Sequence, residues 1–393
     1  MKYTIGQLAE IIDGDRGKNY PQQHEFLEEG YCLFLNTGNV TATGFSFESN
    51  QYISKEKCDL LRKGKLQRRD IVYTTRGTVG NAAFYADSVP YEHIRINSGM
   101  VIIRPNEDVV CTEFLYQILK SDYYRPYFKK HCTGSAQPQL PIKNFSTIEL
   151  DLPDLETQQK IADMLSTYDD LIENNLKQIK LLEEAAQRLY KEWFLDLRFP
   201  GHETTSITDG IPEGWKKERL IDIVKVQYGY AFDGSLFNAN GNGTPIVRIR
   251  NIPAGTTADY TIEDADPQYV VHNGDILVGM DGEFHINSWS GPDAYLVQRT
   301  CSFRPSNPNM KGYLLQAIYE PIKYFESTVV GATVAHLGKK HIDTITVITC
   351  PDELYVPFQQ YFERRQLLLN QNRLLAESRD RLLPKLMNGE IEV

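Results

Sequence analysis

"LLEEAAQRLYKEWF" occupies residues 181–194, and "LLAESRDRLLPKLM" occupies residues 374–387. Aligned without a gap, they match at Leu181/Leu374, Leu182/Leu375, Glu184/Glu377, Arg188/Arg381 and Leu189/Leu382, each pair 193 residues apart. The same helix end written twice, half a chain apart, predicts a duplicated architecture.

Working outward from the first copy, residues 158–197 carry an unbroken helical period. Ile161, Leu165, Tyr168, Ile172, Asn175, Ile179, Leu182, Ala186, Leu189 and Trp193 follow alternating steps of four and three. No Gly or Pro interrupts them, so about 40 residues should form one helix on the order of 60 Å long. Pro153 ends the preceding segment, Asp154 can cap the first turn, and Pro200-Gly201 ends the run. So narrow a stripe is a coiled-coil seam rather than one side of a globule, and its polar member Asn175 can fix register.

A second run covers residues 356–387. Leu368, Leu375 and Leu382 lie seven apart, with Arg365, Asn372 and Arg379 at the seam positions between them. Such a polar seam is weak alone and needs a partner, and the Leu- and Ile-rich first helix is the nearest one. Each Leu or Ile buried there contributes roughly 1.5–3 kcal/mol. The plainer alternative packs each helix on its own globule.

The segments before the two helices also correspond. Residues 1–152 and 215–351 both alternate short β-like runs with Gly-rich turns. Both open similarly ("YTIGQLAEII" from Tyr3, "WKKERLIDIV" from Trp215), and both start a strand with Asp-Ile, at Asp70-Ile71 and Asp275-Ile276. Both close with Gly, a loop and an apolar strand leading into the helix, from Gly134 and from Gly331. The predicted organisation is an α+β chain: a globule over 1–152, a long helix over 153–199, a linker over 200–214, a second globule over 215–351, and a second helix with its tail over 352–393. The closing loops differ, "QPQLP" after Gly134 against "VAHLG" after Gly331, and "ETQQK" from Glu156 keeps only its Gln pair in "PFQQY" from Pro357.

A length of 393 residues suits two or three domains. Six scattered cysteines with no CxxC pair argue for reduced thiols in a cytoplasm, not a disulfide frame or zinc site. No stretch has the apolar length of a membrane span, and the first residues lack the apolar core of a signal peptide. Net charge is −10, which opposes indiscriminate nucleic-acid binding, so any DNA contact must come from local patches. Residues 1–150 are the least acidic part, with 18 basic and 17 acidic side chains.

Two similar heads on paired helices suit a ligand with two sites at a set separation. Duplex DNA is the obvious one, its major-groove faces repeating about every 34–36 Å. The stretch "KEKCDLLRKGKLQRRD" from Lys55 holds Lys63, Lys65, Arg68 and Arg69, and "YYRPYFKK" from Tyr123 ends on Lys129 and Lys130. "TTRGTVG" offers Thr75 and Arg76 in a Gly-flanked loop, and the closing loops add Ser135, Gln137, Lys339 and Lys340. "RIRN" offers Arg248 and Arg250 for guanine edges and Asn251 for adenine. Each stretch has a plainer reading as a solvated basic face or a salt-bridged strand. Ile161, Leu165, Ile172, Ile179, Leu182, Leu189, Trp193, Leu368, Leu375 and Leu382 are the candidate seam residues.

At this point the chain resembles a known family, the specificity subunits of type I restriction–modification enzymes. The likeness rests on "DGDRGKNYP" from Asp13, "FLNTGNV" from Phe34, "TRGTVGN" from Thr75, "INSGM" from Ile96 and "LPDLETQQKIADML" from Leu152. In the second half it rests on "YGYAF" from Tyr228, "IVRIRNI" from Ile246, "GDILVGMDG" from Gly274 and "RDRLLPKLMNGEI" from Arg379. The resemblance implies that each globule is a target recognition domain reading one half of a split DNA sequence. It implies that the helices form an antiparallel coiled coil docking methylation subunits, two in number, with restriction subunits joining through that core. It also implies a subunit with no catalytic centre. S-adenosylmethionine, ATP and Mg would then sit on the partners, with no cofactor on this chain.

The catalytic alternatives lack their residues. "DPQY" from Asp266 weakly echoes a methyltransferase base pocket, but no glycine-rich cofactor motif accompanies it. Glu-x-Lys, a P-loop and a GxSxG elbow are all missing from the sequence. His336, His341 and His131-Cys132 are pairs without a third metal ligand. A non-catalytic scaffold whose heads bind protein remains the other reading. Phosphate contacts would give steep salt dependence of DNA binding, and a protein scaffold none.

Overall fold

The computed structural model describes residues 1–134, 137–328 and 335–392. Two compact units emerge, one made of Met1–Asp170 with Ala376–Val393 and the other of Leu171–Leu375. Both are α+β.

In the first unit the principal strands are β1 (Lys2–Thr4), β2 (Ala9–Asp13), β3 (Cys32–Leu35), β4 (Ile71–Thr74), β5 (Ala82–Phe84), β6 (Ile94–Ile96), β7 (Met100–Pro105) and β8 (Glu149–Asp151). An antiparallel sheet runs β2-β7-β4-β5, β3 lies parallel to β6, and β1 pairs with β8. Strands β4 and β7 are buried on both faces, which is why their sequences are almost wholly apolar. Alternation sorts their side chains. Ile71, Tyr73, Val101 and Ile103 meet Phe114, Leu115 and Ile118 of the helix Thr112–Lys120, whereas Val72, Met100 and Ile102 meet Leu33 and Ile94.

The second unit repeats this design with β9 (Lys216–Arg219), β10 (Val224–Tyr228), β11 (Thr244–Val247), β12 (Ile276–Gly279), β13 (Ile286–Ser288), β14 (Ala294–Leu296), β15 (Thr300–Pro305) and β16 (Thr346–Thr349). The order β10-β15-β12-β13, the parallel pair β11-β14 and the pair β9-β16 reproduce the first unit strand for strand. Short-range devices are repeated as well. Buried Asp70 accepts the Gln67 amide at 2.7 Å and the Arg104 Nε and Nη2 at 2.9 Å each. Buried Asp275 accepts the His272 amide at 3.0 Å and the Arg304 Nε and Nη2 at 3.0 and 2.6 Å. Each Asp-Ile pair therefore opens its strand with a locked turn. Gly14 and Gly229 follow β2 and β10 where a second backbone passes so close that a Cβ would lie 2.3 and 2.1 Å from the carbonyl oxygens of Asn97 and Val297. Only glycine fits there.

The long helices are Leu155–Tyr190 and Val356–Met387. Asp154 caps the first, its carboxylate accepting the Thr157 amide at 2.9 Å and the Thr157 hydroxyl at 3.1 Å. The shared Gln pair has a use: Gln158 Oε1 accepts the Cys111 amide at 2.9 Å, and Gln359 Oε1 the Gly312 amide at 3.4 Å. Within the second unit the helices pair antiparallel. Asn175 meets Asn372 at 2.9 Å, and Glu183 meets Arg365 at 2.6 Å. Within the first unit Asp169 meets Arg379 at 2.7 Å, and Ile161 and Leu165 share a core with Leu383 and Leu386.

The seam departs from its predicted positions at both C-terminal ends. Lys191–Leu195 forms a π turn, whose extra residue rotates the chain so that Phe194, not Trp193, is buried among Trp215, Tyr313 and Phe358. After Arg379 the buried positions are Leu383 and Leu386, leaving Leu382 at the edge. Ile161, Leu165, Ile179 and Leu368 are fully buried, while Ile172, Leu182, Leu189 and Leu375 are half-buried.

Candidate nucleic-acid interface

In the first unit two loops converge beyond the C-terminal end of β4. The Thr75 and Arg76 amides donate to the Gly99 carbonyl at 2.9 and 3.1 Å. The Leu140 amide donates to the Thr75 carbonyl at 3.0 Å, and Arg76 bridges to Gln139. Thr133 and Gln139 exchange backbone bonds at 2.7 and 2.9 Å. Beneath them Tyr73, Phe128 and Phe145 form an aromatic base, Tyr73 stacking on Phe145 at 5.1 Å. Burial pushes the Tyr73 phenol well above its ordinary range, so it stays neutral. Rigid aromatics thus hold a polar rim.

The predicted contact residues part into three groups. Among the described residues no hydrogen bond or ion pair engages the side-chain cations of Arg76, Lys63, Lys65, Lys129, Lys130, Lys339 or Lys340, and all of these except half-buried Arg76 are exposed. Gln137 is exposed in the first unit's closing loop. Lys63 and Lys65, with Arg62, line an open groove of about 860 Å³ whose other wall holds Glu10 and Asp13.

The second group is occupied within the fold. Arg68 donates to the carbonyls of Ala86, Val89 and Tyr91 at 2.7, 3.0 and 3.3 Å and lies over the Tyr85 ring. Arg69 holds Glu107 at 2.5 Å and Glu113 at 2.8 Å, and its bond to Glu113 raises the guanidinium further above its usual value. Thr75 is buried, its hydroxyl donating to Gly99 at 3.1 Å. Arg250 pairs with Asp259 at 2.6 Å, and the Asn251 amide reaches the same carboxylate at 3.2 Å. Asn251 Oδ1 also accepts the Arg248 amide at 2.8 Å, and the Arg248 guanidinium lies 5.5 Å from the Phe237 ring centre. In "RIRN", therefore, Arg250 and Asn251 are taken up by Asp259, and Arg248 lies over Phe237. The third group is Ser135 alone, which lies outside the described residues.

The second unit builds the same junction from different side chains. The Met280 amide donates to the Arg299 carbonyl at 2.9 Å, and the Leu337 amide to the Met280 carbonyl at 2.7 Å. Asp281 bridges to His336 as Arg76 bridges to Gln139. Its carboxylate lies 2.5 Å from His336 Nδ1 and 3.4 Å from Arg299 Nε. Sequence reading passed over Asp281 and Arg299, and weighed His336 only as a possible metal ligand. Their only signal was positional, and it needs the strand register to be seen.

Elsewhere the first unit buries Lys120 against Asp169, which also accepts from Gln117 at 2.6 Å and from Arg379 at 2.7 Å. Burial pulls the Lys120 ammonium down to about 8 despite Asp169. Burial pushes the Asp169 carboxyl up, but Lys120 and Arg379 outweigh it and leave it below its ordinary value. Among the described residues no helix is long and apolar enough to cross a membrane.

A doubled α+β head with a polar loop junction in each copy defines a two-headed recognition protein. The model of the type I restriction modification DNA specificity domain matches residues 1–184 and again residues 212–374. The specificity subunit of the MjaIX type I restriction enzyme of Methanocaldococcus jannaschii is 30% identical over 82% of this chain and 78% of its own length. That of the HindI enzyme of Haemophilus influenzae is 24% identical over 96% of this chain and 98% of its own. The crystal structure of a type I restriction–modification S subunit from M. genitalium shares the fold, with a TM-score of 0.51 at 15% identity over 100% of this chain and 96% of that one. This chain belongs to the type I restriction–modification DNA specificity family.

Proposed function

We propose that this chain is the sequence-reading subunit of a type I restriction–modification complex. Each head reads one half of a bipartite duplex target, and the chain neither cuts nor methylates. The paired helices dock methylation subunits, two of them, and restriction subunits join through that core in the cytoplasm. S-adenosylmethionine, ATP and Mg are then the partners' ligands. One observation carries this reading: a single backbone design is repeated with different side chains at its loop junctions, as two readers of different half-sites require. With a net charge of −10, the chain relies on its partners for much of the phosphate contact.

The test is reconstitution with its cognate methylation subunits, followed by mapping of methylated bases. Methylation at one split motif, absent without this chain, is the expected result. The non-catalytic scaffold and the adenine methyltransferase are the competing readings. A complex that methylates without sequence preference supports the former, and methylation by this chain alone supports the latter.

A further inference from the structure

Resting on that reading, we propose that each head presents one arginine to a base edge at its loop junction, delivered from opposite sides: Arg76 in the first head and Arg299 in the second. The register fixes the equivalence. Thr74 pairs with Met100 across β4 and β7, and Gly279 with Thr300 across β12 and β15. Two residues beyond Thr74 and Gly279 stand Arg76 and Asp281, and one residue before Met100 and Thr300 stand Gly99 and Arg299. The pair Arg76/Gly99 in one head thus becomes Asp281/Arg299 in the other. The cation is kept at the junction while the strand end that supplies it is exchanged.

Each head readies its guanidinium differently. Gln139 bridges to the Arg76 backbone, and among the described residues no hydrogen bond or ion pair engages the Arg76 guanidinium. Arg299 is held at φ 70°, a left-handed backbone uncommon for any residue but glycine. Asp281 lies 3.4 Å from its Nε, His336 lies 3.4 Å from Nη1, and 56% of the side chain stays exposed. A guanidinium steadied at Nε and Nη1 keeps its Nη2 hydrogens and the second Nη1 hydrogen for a bidentate acceptor. In the major groove the O6/N7 pair of guanine is that acceptor. Asp281 and His336 are positioning residues in this arrangement.

The test uses the assembled complex carrying Arg76→Ala, Arg76→Lys, Arg299→Ala or Arg299→Lys, with methylated sites mapped for each. Arg76→Ala should relax one base position in one half-site, and Arg299→Ala one position in the other, with spacer length unchanged. Discrimination at that position should fall about ten- to a hundredfold. The lysine variants should relax the same positions, because one ammonium cannot reproduce a bidentate fork. Asp281→Asn should weaken the Arg299 position alone, and further loss in the Arg299→Ala background would count against a positioning role. An unchanged motif in both alanine variants overturns the proposal, as does a uniform loss at all sites that lysine restores. Wild-type complex without sequence-specific methylation would refute the proposed function instead.

Discussion

Asn175 and Asn372 face each other across the paired helices of the second unit, one amide donating to the other's oxygen at 2.9 Å. Asn175 is buried. A polar pair inside an apolar seam penalises every register that separates its members. Asn175→Leu alone strands the Asn372 Oδ1 acceptor and should cost about 1–3 kcal/mol, whereas Asn175→Leu with Asn372→Leu should be near neutral or stabilising. Denaturant midpoints of the four chains measure this. Equal loss in single and double variants would show that the contact does not set register.

Asp169 joins Lys120, Gln117 and Arg379 at one buried point of the first unit, with Asp380 and the Tyr116 ring close by. Asp169→Asn leaves two buried cations short of their carboxylate and should destabilise by about 3–5 kcal/mol. Lys120→Met keeps the Asp169–Arg379 pair and should be far milder. The folded chain releases the Lys120 proton near pH 8 and the unfolded chain near 10.5. Between those values the unfolded state binds more protons, so wild-type stability should rise with pH relative to Lys120→Met. The Asp169 contribution runs the other way in acid: it is present above the ordinary value of 3.8 and lost as pH falls through the lower folded value. Stability curves of the three chains from pH 3 to 10 decide both signs.

Much of this architecture was legible because periodicity and repetition are properties of the chain itself. The long helices, the two heads and the Asp-Ile strand starts at Asp70 and Asp275 all follow from spacing. What failed was local satisfaction. "RIRN" reads as a base-contacting set, but Asp259, eight residues past Asn251, folds back and claims it. Arg68 reads as free charge, yet a turn built from Ala86, Val89 and Tyr91 takes its donors. Arg299 was hidden because its counterpart is Gly99, and only the register of β15 on β12 aligns the two. The seam slipped at Trp193 because a π turn is a backbone event that the heptad pattern does not encode.

Leu181 and Leu374 are the first matched pair of the repeated stretch, and both are exposed, at 64% and 52%. Their exposure keeps them out of the seam, and the proposed function gives them a contact outside the chain. In the proposed complex each belongs to the docking surface of one methylation subunit. Leu181→Asp and Leu374→Asp should each remove one such subunit, and the double variant both, with the thermal midpoint of the isolated chain nearly unchanged. Leu368→Asp, buried in the seam, should instead unfold the helix pair. Subunit stoichiometry by native mass spectrometry gives the answer. Full assembly of the double variant would place docking elsewhere.

Lys129 and Lys130 stand exposed and unpaired among the described residues beside the first head's loop junction, while Arg68 is bound within the same head. If the lysines meet phosphates, each substitution to alanine should flatten the plot of log affinity against log salt by about 0.9. Affinity should fall equally for cognate and unrelated duplexes, because phosphates carry no sequence information. Arg68→Ala should leave the slope untouched and lower stability, since it strips three carbonyls of their donor and uncovers the Tyr85 ring. Binding isotherms of the assembled complex at four salt concentrations, with melting curves of each variant, separate the two roles. A slope change for Arg68→Ala with intact stability would place that guanidinium on DNA and reverse the assignment made from its hydrogen bonds.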